Sequence, residues 1–232
     1  MILLANLISK IKGVDNVTYD LQDKVSIFGG TNLLTNTDFH IQYSQTSGWN
    51  TTKNGTLLAS SWGGYNSGVT NQSSVYHAHL KQVDNEWVYE YIKTNDETWL
   101  GISQGTIQSK IKAGEKYIFS WDQYCVSGNN YATGGLYYYT TGATSAAFHL
   151  GNFSGNTNRT TGKWQKFSYI FTAPSDGDYN KNMSWYIYGM NGGNGTMYIR
   201  HPKLEVGTKP TEWTPALKDL ITYSSETLEF FQ

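Results

Sequence analysis

Cysteine, proline and charge are all scarce in this 232-residue chain. With a single cysteine, Cys125, no disulfide can form within it, and the fold cannot depend on oxidation. Charged residues make up 15% and the formal net charge is −1. That excludes the basic stripe by which nucleic-acid binders meet phosphate, and equally the charge excess of a membrane-surface protein. No run approaches the ~20 apolar residues needed to span a bilayer. The apolar opening Met1–Ile8 has no basic segment before it and no small-residue cleavage site after it, so it does not read as a signal peptide. Amphipathic helices of normal length are missing from residues 31–214.

What is abundant is aromatic. Phe, Trp and Tyr reach 15% of the chain, with 18 Tyr and 8 Trp, and glycine numbers 24. Tyr and Trp offer rigid, half-polar contact surface suited to polar ligands, but β-sheet proteins favour aromatics in any case, and composition leaves both readings open. The length fits one β-sandwich domain with short terminal arms as well as two small domains, and a single domain of this size buries roughly three quarters of its unfolded surface.

Short alternating runs broken by Gly, Asn and Ser clusters fill residues 31–214. They predict strands at 56–62, 74–80, 87–94, 106–111, 116–126, 136–141, 164–172, 183–190 and 196–204, with turns at 63–68, 127–130 and 191–195. About nine strands with helix-free connections predict an all-β, two-sheet antiparallel sandwich of jelly-roll type. Residues 1–30 carry weak helical spacing at Leu7, Ile11 and Val14, and residues 215–232 end in Phe230-Phe231. Both read as terminal arms flanking a module at 31–214, through which it joins a larger protein, with frayed termini as the ordinary alternative.

Four segments carry a resemblance to a known family: NLLTNTDF (32–39) followed by Gly48-Trp49, AGEKYIFSWD (113–122), KWQKFSYIFTAP (163–174) and, most specifically, MYIRHPKLEVGTKPTEWTPA (197–216). Over residues 31–216 the chain resembles jelly-roll carbohydrate-binding modules of bacteriophage tail and baseplate proteins, as inserted in extended distal tail proteins and accessory baseplate proteins of phages of Gram-positive hosts. The resemblance implies a non-catalytic module on the virion tail tip that adheres to host cell-surface polysaccharide, with other tail proteins as partners through the arms. No cofactor, nucleic acid or membrane is implied. Modules of this kind commonly hold a structural Ca²⁺, for which Asn36, Asp38 and Glu205 would be the oxygen donors here.

Side chains alternate along a strand, so each run splits into two sets. In 116–126, Tyr117, Phe119, Trp121 and Cys125 (with Gln123) oppose Ser120, Asp122 and Tyr124 (with Ile118). Leu136 and Tyr138 oppose Tyr137 and Tyr139; Met183, Trp185 and Ile187 oppose Ser184, Tyr186 and Tyr188; Tyr76, Ala78 and Leu80 oppose His77 and His79. One set in each run is oily, the other rich in Tyr, His and Asp. The wet set is either the solvated back of a sheet or a sugar platform. A pyranose packs its C–H face on an aromatic ring and offers hydroxyls that Tyr, Asp and His can bind. The candidate carbohydrate-binding residues are therefore His77, His79, Asp122, Tyr124, Tyr137, Tyr139, Tyr186 and Tyr188, joined by the loop aromatics Trp62, Tyr65, Trp99 and Tyr131.

Catalytic constellations are weak. GISQG (101–105) matches the nucleophile-elbow pattern, but TIQSKIK (106–112) after it alternates like a strand where a helix is needed. His77-x-His79 with Asp84 lacks the other parts of a cupin metal motif. Glycoside hydrolysis needs two facing carboxylates, and only Glu90 and Asp122 fall inside predicted strands. The sequence thus points to a non-enzymatic binder. A structural docking domain and a polysaccharide depolymerase stand as alternatives.

Overall fold

The computed structural model describes residues 30–44, 56–67, 78–93, 99–105, 110–128, 132–144, 147–149, 160–181, 184–189, 194–216 and 219. Among the described residues there are twelve strands: β1 Gln42–Ser44, β2 Leu57–Ala59, β3 Trp62–Ser67, β4 Ala78–Val83, β5 Glu86–Lys93, β6 Trp99–Gly105, β7 Lys116–Gly128, β8 Thr133–Tyr138, β9 Ala147–His149, β10 Trp164–Thr172, β11 Ser184–Gly189 and β12 Gly195–Val206. Sheet I has the order β10-β7-β12-β5-β4 and sheet II the order β3-β6-β11-β8-β9, while β1 and β2 form a small separate pair. All ladders are antiparallel.

This order is a jelly roll. β5 pairs with β12, β6 with β11, β7 with β10 and β8 with β9, so the chain from β5 to β12 pairs as one long hairpin whose tip is β8–β9. Rolling that hairpin deals its pairs alternately to the two sheets, and the pairs β7·β12 and β8·β11 knit each sheet together. β4 and β3 extend the edges.

The sheets meet through the oily parity. Phe119 and Phe171 of sheet I pack on Trp185 of sheet II, with ring centroids 4.9 and 5.4 Å apart, and Tyr91 Oη donates to the Ile187 carbonyl at 3.1 Å. The predicted inward sets on 116–126, 136–139 and 184–187 are buried, as are Ala78 and Leu80. The exceptions have local causes. Gln123 is buried because its Oε1 accepts from the Ala132 N–H at 3.0 Å across the sandwich. Ile118 and Ser120 are buried on the outer side because the 209–214 segment straps over that end of sheet I, where they pair with Glu205 and Lys203.

Several strand expectations need correction. The run 56–62 is two strands broken at Ser60-Ser61, where Ser61 takes φ 70°. GGYNS, expected as a turn, belongs to β3. Of 74–80, residues 74–77 lie outside the described residues, and from Ala78 the chain is strand as far as Val83, closing through Asp84-Asn85, both at positive φ as a type I′ hairpin turn requires. Strand β6 precedes the expected 106–111; of that run 106–109 lies outside the described residues and Lys110 is a turn. The expected arms 1–30 and 215–232 lie almost wholly outside as well. Where the latter is described it packs onto the module, for Asp219 accepts from the Asn36 N–H at 2.7 Å.

The opening and closing motifs clamp one another. Asn32 Nδ2 donates to the Pro202 carbonyl at 3.1 Å while its Oδ1 accepts from the Leu34 and Leu204 N–H groups, both at 3.1 Å. Trp213 Nε1 donates to Thr37 Oγ1 at 3.1 Å.

Candidate functional site

Four strands were expected to share one ring-bearing face, but β4 and β7 lie in sheet I and β8 and β11 in sheet II. Since the oily sets of both sheets face each other, the wet sets face opposite ways. They make two surfaces.

On sheet II the outward rows follow from register. Gly63, Ser103, Tyr186 and Gly135 lie in one row across β3, β6, β11 and β8. Gly105, Ser184 and Tyr137 lie in the next. The Tyr137 and Tyr186 rings meet with centroids 4.9 Å apart at 49°, and both are half-buried. Positions 65, 99 and 188 share this parity by register, as does Gly101. The first two rows thus form a floor of glycine and serine beside a tyrosine pair. A Cβ added to Gly63 would meet Ser103 Oγ at 3.6 Å, and one added to Gly105 would meet Ser184 Oγ at 3.8 Å, both ordinary contacts. Internal packing therefore does not require glycine at either place. Glycine inside a strand weakens it, and it is expected where a ligand comes close to the backbone. The result is a shallow trough with aromatic, hydroxyl and backbone surfaces side by side.

Sheet I carries the other expected residues. Asp122 Oδ2 accepts from Arg200 Nε at 3.4 Å and lies 3.2 Å from His201 Nδ1; Arg200 also pairs with Glu86. His79 Nε2 lies 2.8 Å from Glu90, whose other oxygen accepts from Lys81 at 2.7 Å. Tyr124 packs between Trp164 and Tyr198. Burial alone would raise the Asp122 and Glu90 carboxyls, but bonding and charge from His201 and Arg200, and from His79 and Lys81, outweigh it and hold both below the usual carboxylate range. Their pairing therefore stabilises the fold fully above the unfolded carboxylate value of about 4 and is lost as pH falls through the lower folded values. The thermal midpoint is expected to fall on acidification below about pH 4, less steeply in Asp122→Asn; equal slopes would show that this pairing adds nothing.

Of the remaining candidates, Trp62 is a correction. It is 1% exposed, packs on Phe39 at 5.7 Å and donates its Nε1 to the Thr35 and Asn36 carbonyls, so it belongs to the core and presents no ligand surface. Tyr139 follows β8 with the Lys181 ammonium 5.3 Å from its ring centroid. His77 and Tyr131 lie outside the described residues. Missed by sequence reasoning were Trp164, Tyr198, Arg200 and the glycine floor. Trp164 and Tyr198 sat in strands whose parity was left unsplit, and the floor needed cross-strand register.

The expected Ca²⁺ donors do not fit such a site. Asn36 Oδ1 accepts from the Ile41 N–H at 3.2 Å, Asp38 Oδ1 lies 2.8 Å from His40 Nδ1, and the cation beside Glu205 is the Lys203 ammonium, 3.3 Å away. GISQG lies within β6, paired on both sides, so no strand-to-helix elbow exists there.

No family model and no curated protein sequence matches the chain. Among solved structures it is similar to the CBM22-1 xylan-binding domain of Paenibacillus barcinonensis Xyn10C, at 12% identity, over 78% of this chain and 97% of that one, with a TM-score of 0.47. It is similar to a xylan-binding domain from CBM 22, formerly the x6b domain, at 13% identity, over 78% of this chain and 98% of that one, with a TM-score of 0.43. It is also similar to the enzymatically active domain of bacteriophage CBA120 tailspike protein 4, at 8% identity, over 76% of this chain but 22% of that one, with a TM-score of 0.48. The chain's own strand order makes it a jelly roll.

Proposed function

We propose that this chain binds saccharide without cutting it, in the trough on sheet II, and that it serves adhesion of a phage tail to host cell-surface polysaccharide. One observation carries the binding reading: the Tyr137–Tyr186 pair stands beside outward glycines that packing does not require. The tail setting, the virion location and the tail-protein partners rest on the resemblance of segments 32–39 and 197–216. Against depolymerisation, Glu90 and Asp122, the two carboxylates that fell inside expected strands, are both held below the usual range, whereas a glycosidic general acid needs its pKa raised.

A single shallow trough of this kind binds in the high-micromolar to millimolar range, about −4 to −6 kcal/mol, and repetition on a particle turns that into firm attachment. Affinity electrophoresis through neutral cell-wall polysaccharides, with labelling of Gram-positive cells by a fluorescent fusion, tests the reading. Tyr137→Ala or Tyr186→Ala is expected to weaken binding by about 1–2 kcal/mol, by analogy with aromatic stacking. Gly63→Val, which fills the trough and suits a strand, is expected to abolish trough binding with the thermal midpoint held. Unretarded wild type together with unlabelled cells would end the proposal.

A further inference from the structure

The outer face of sheet I holds a second built surface. One register row crosses all five strands: Trp164 on β10, Tyr124 on β7, Tyr198 on β12, Glu90 on β5 and His79 on β4. At about 4.8 Å between strands this row runs for roughly 19 Å. Its three rings form a continuous half-buried group: Tyr124 lies 5.5 Å from Trp164 and 5.8 Å from Tyr198, and Trp164 lies 6.5 Å from Tyr198. The Arg200 guanidinium lies 3.9 Å above the Trp164 ring, fixed by Asp122 and Glu86. At the far end Lys81 reaches both Glu90 and the Tyr198 hydroxyl, the latter at 3.2 Å.

The bulge at Arg200–Lys203 sets the limit of this surface. His201 takes φ 54° there, pairs with Asp122 and stacks on Trp213 of the strap at 4.1 Å. Beyond it the strap covers the sheet; before it the row stays partly open.

We infer that this row is a second saccharide-binding surface, back to back with the trough, and that it takes a neutral sugar chain. Charge decides the class. Arg200, Lys81 and Lys166 face Asp122, Glu86, Glu90 and Glu212, each cation paired with a carboxylate, so the surface has no basic excess to draw phosphate or an acidic polymer. The pairing fixes donors and acceptors around the rings before any ligand arrives, which lowers the entropic cost of binding hydroxyls. Aromatic faces beside a planar guanidinium and carboxylates match the alternating C–H and hydroxyl surfaces of a pyranose chain. A module with ligand on both faces bridges two polysaccharide strands, or grips one at two points with raised effective concentration.

The test is affinity electrophoresis of the full chain through a panel of neutral polysaccharides: xylan, glucomannan, mixed-linkage β-glucan and a neutral Gram-positive wall polysaccharide. Four proteins are compared: wild type, Gly63→Val, Trp164→Ala/Tyr124→Ala, and all three changes together. Gly63→Val is expected to keep residual retardation on at least one polysaccharide, and adding the sheet I changes is expected to weaken it about tenfold. Because Trp164 and Tyr124 face outward, every variant is expected to stay folded, which thermal midpoints check. Retardation lost in Gly63→Val alone overturns the second surface and leaves the trough standing. Retardation unchanged by Gly63→Val but lost in Trp164→Ala/Tyr124→Ala keeps the sheet I surface and removes the trough. Failure of wild type to be retarded by any polysaccharide overturns both.

Discussion

Replacing Lys203 by methionine is expected to destabilise the protein by about 3–5 kcal/mol, measured by denaturant unfolding. Lys203 is 0% exposed, an unusual place for an ammonium. Its Nζ donates to Thr211 Oγ1 at 2.6 Å and to the Glu212 carbonyl at 2.7 Å, with Glu205 Oε2 at 3.3 Å. Glu205 in turn accepts from the Thr211 N–H at 2.9 Å and its hydroxyl at 2.6 Å, and the same hydroxyl receives the Gly30 N–H at 3.1 Å. A Cβ on Gly30 would overlap Glu205 Oε2, so a larger residue there would have to push that carboxylate out of its bonds. The network ties the beginning of the module, its last strand and the strap to one spot.

Burial lowers the Lys203 pKa and outweighs the pull of Glu205 in the other direction. Desolvation therefore beats attraction, and the pair itself is a poor stabiliser; what it secures is position. Removing Lys203 alone strands the Glu205 carboxylate in the interior, which is the source of the large cost. Lys203→Met/Glu205→Gln removes both charges and leaves an amide that still bonds Thr211, so it is expected to recover most of the loss. A cost below about 1 kcal/mol for Lys203→Met would mean that water reaches Glu205.

Much of the fold was legible because its signals are local. The run 164–172 is a strand with the expected ends, and the odd–even split placed Trp121, Leu136 and Trp185 inward and Asp122, Tyr137 and Tyr186 outward. Parity tells which side of its own sheet a residue takes, but not which sheet the strand joins. That is settled by the rolled hairpin, through pairings as distant as β5 with β12, so Asp122 and Tyr137 came out back to back. Glycine misled in the same way. In GGYNSG it reads as turn chemistry, whereas in place Gly63 is a strand position paired with Ser103. Trp62 beside it looked like a loop aromatic, but its indole N–H finds carbonyls in the 35–36 turn and its ring fills the core. The motif resemblance has a physical basis too: Asn32, Thr37, Thr211 and Trp213 are the residues that close the module on itself.

The other large effect lies in the core. Trp121→Ala is expected to cost about 3–5 kcal/mol in denaturant unfolding. The indole is 1% exposed on β7, between β10 and β12, stacked on Phe119 at 5.1 Å and on Phe167 at 5.8 Å. Its Nε1 points to Gln123 Oε1 at 3.5 Å, the oxygen that also accepts from the Ala132 N–H. Truncation therefore opens a cavity between two rings and loosens the amide that links the sheets. Tyr186→Ala is the matched control: a large aromatic of opposite parity, expected to change stability by less than about 1 kcal/mol while it weakens saccharide binding. The two variants separate the roles that parity assigns. Comparable destabilisation by both would mean that Tyr186 is as much a core ring as Trp121, and the trough would lose the aromatic wall against which a sugar is proposed to stack.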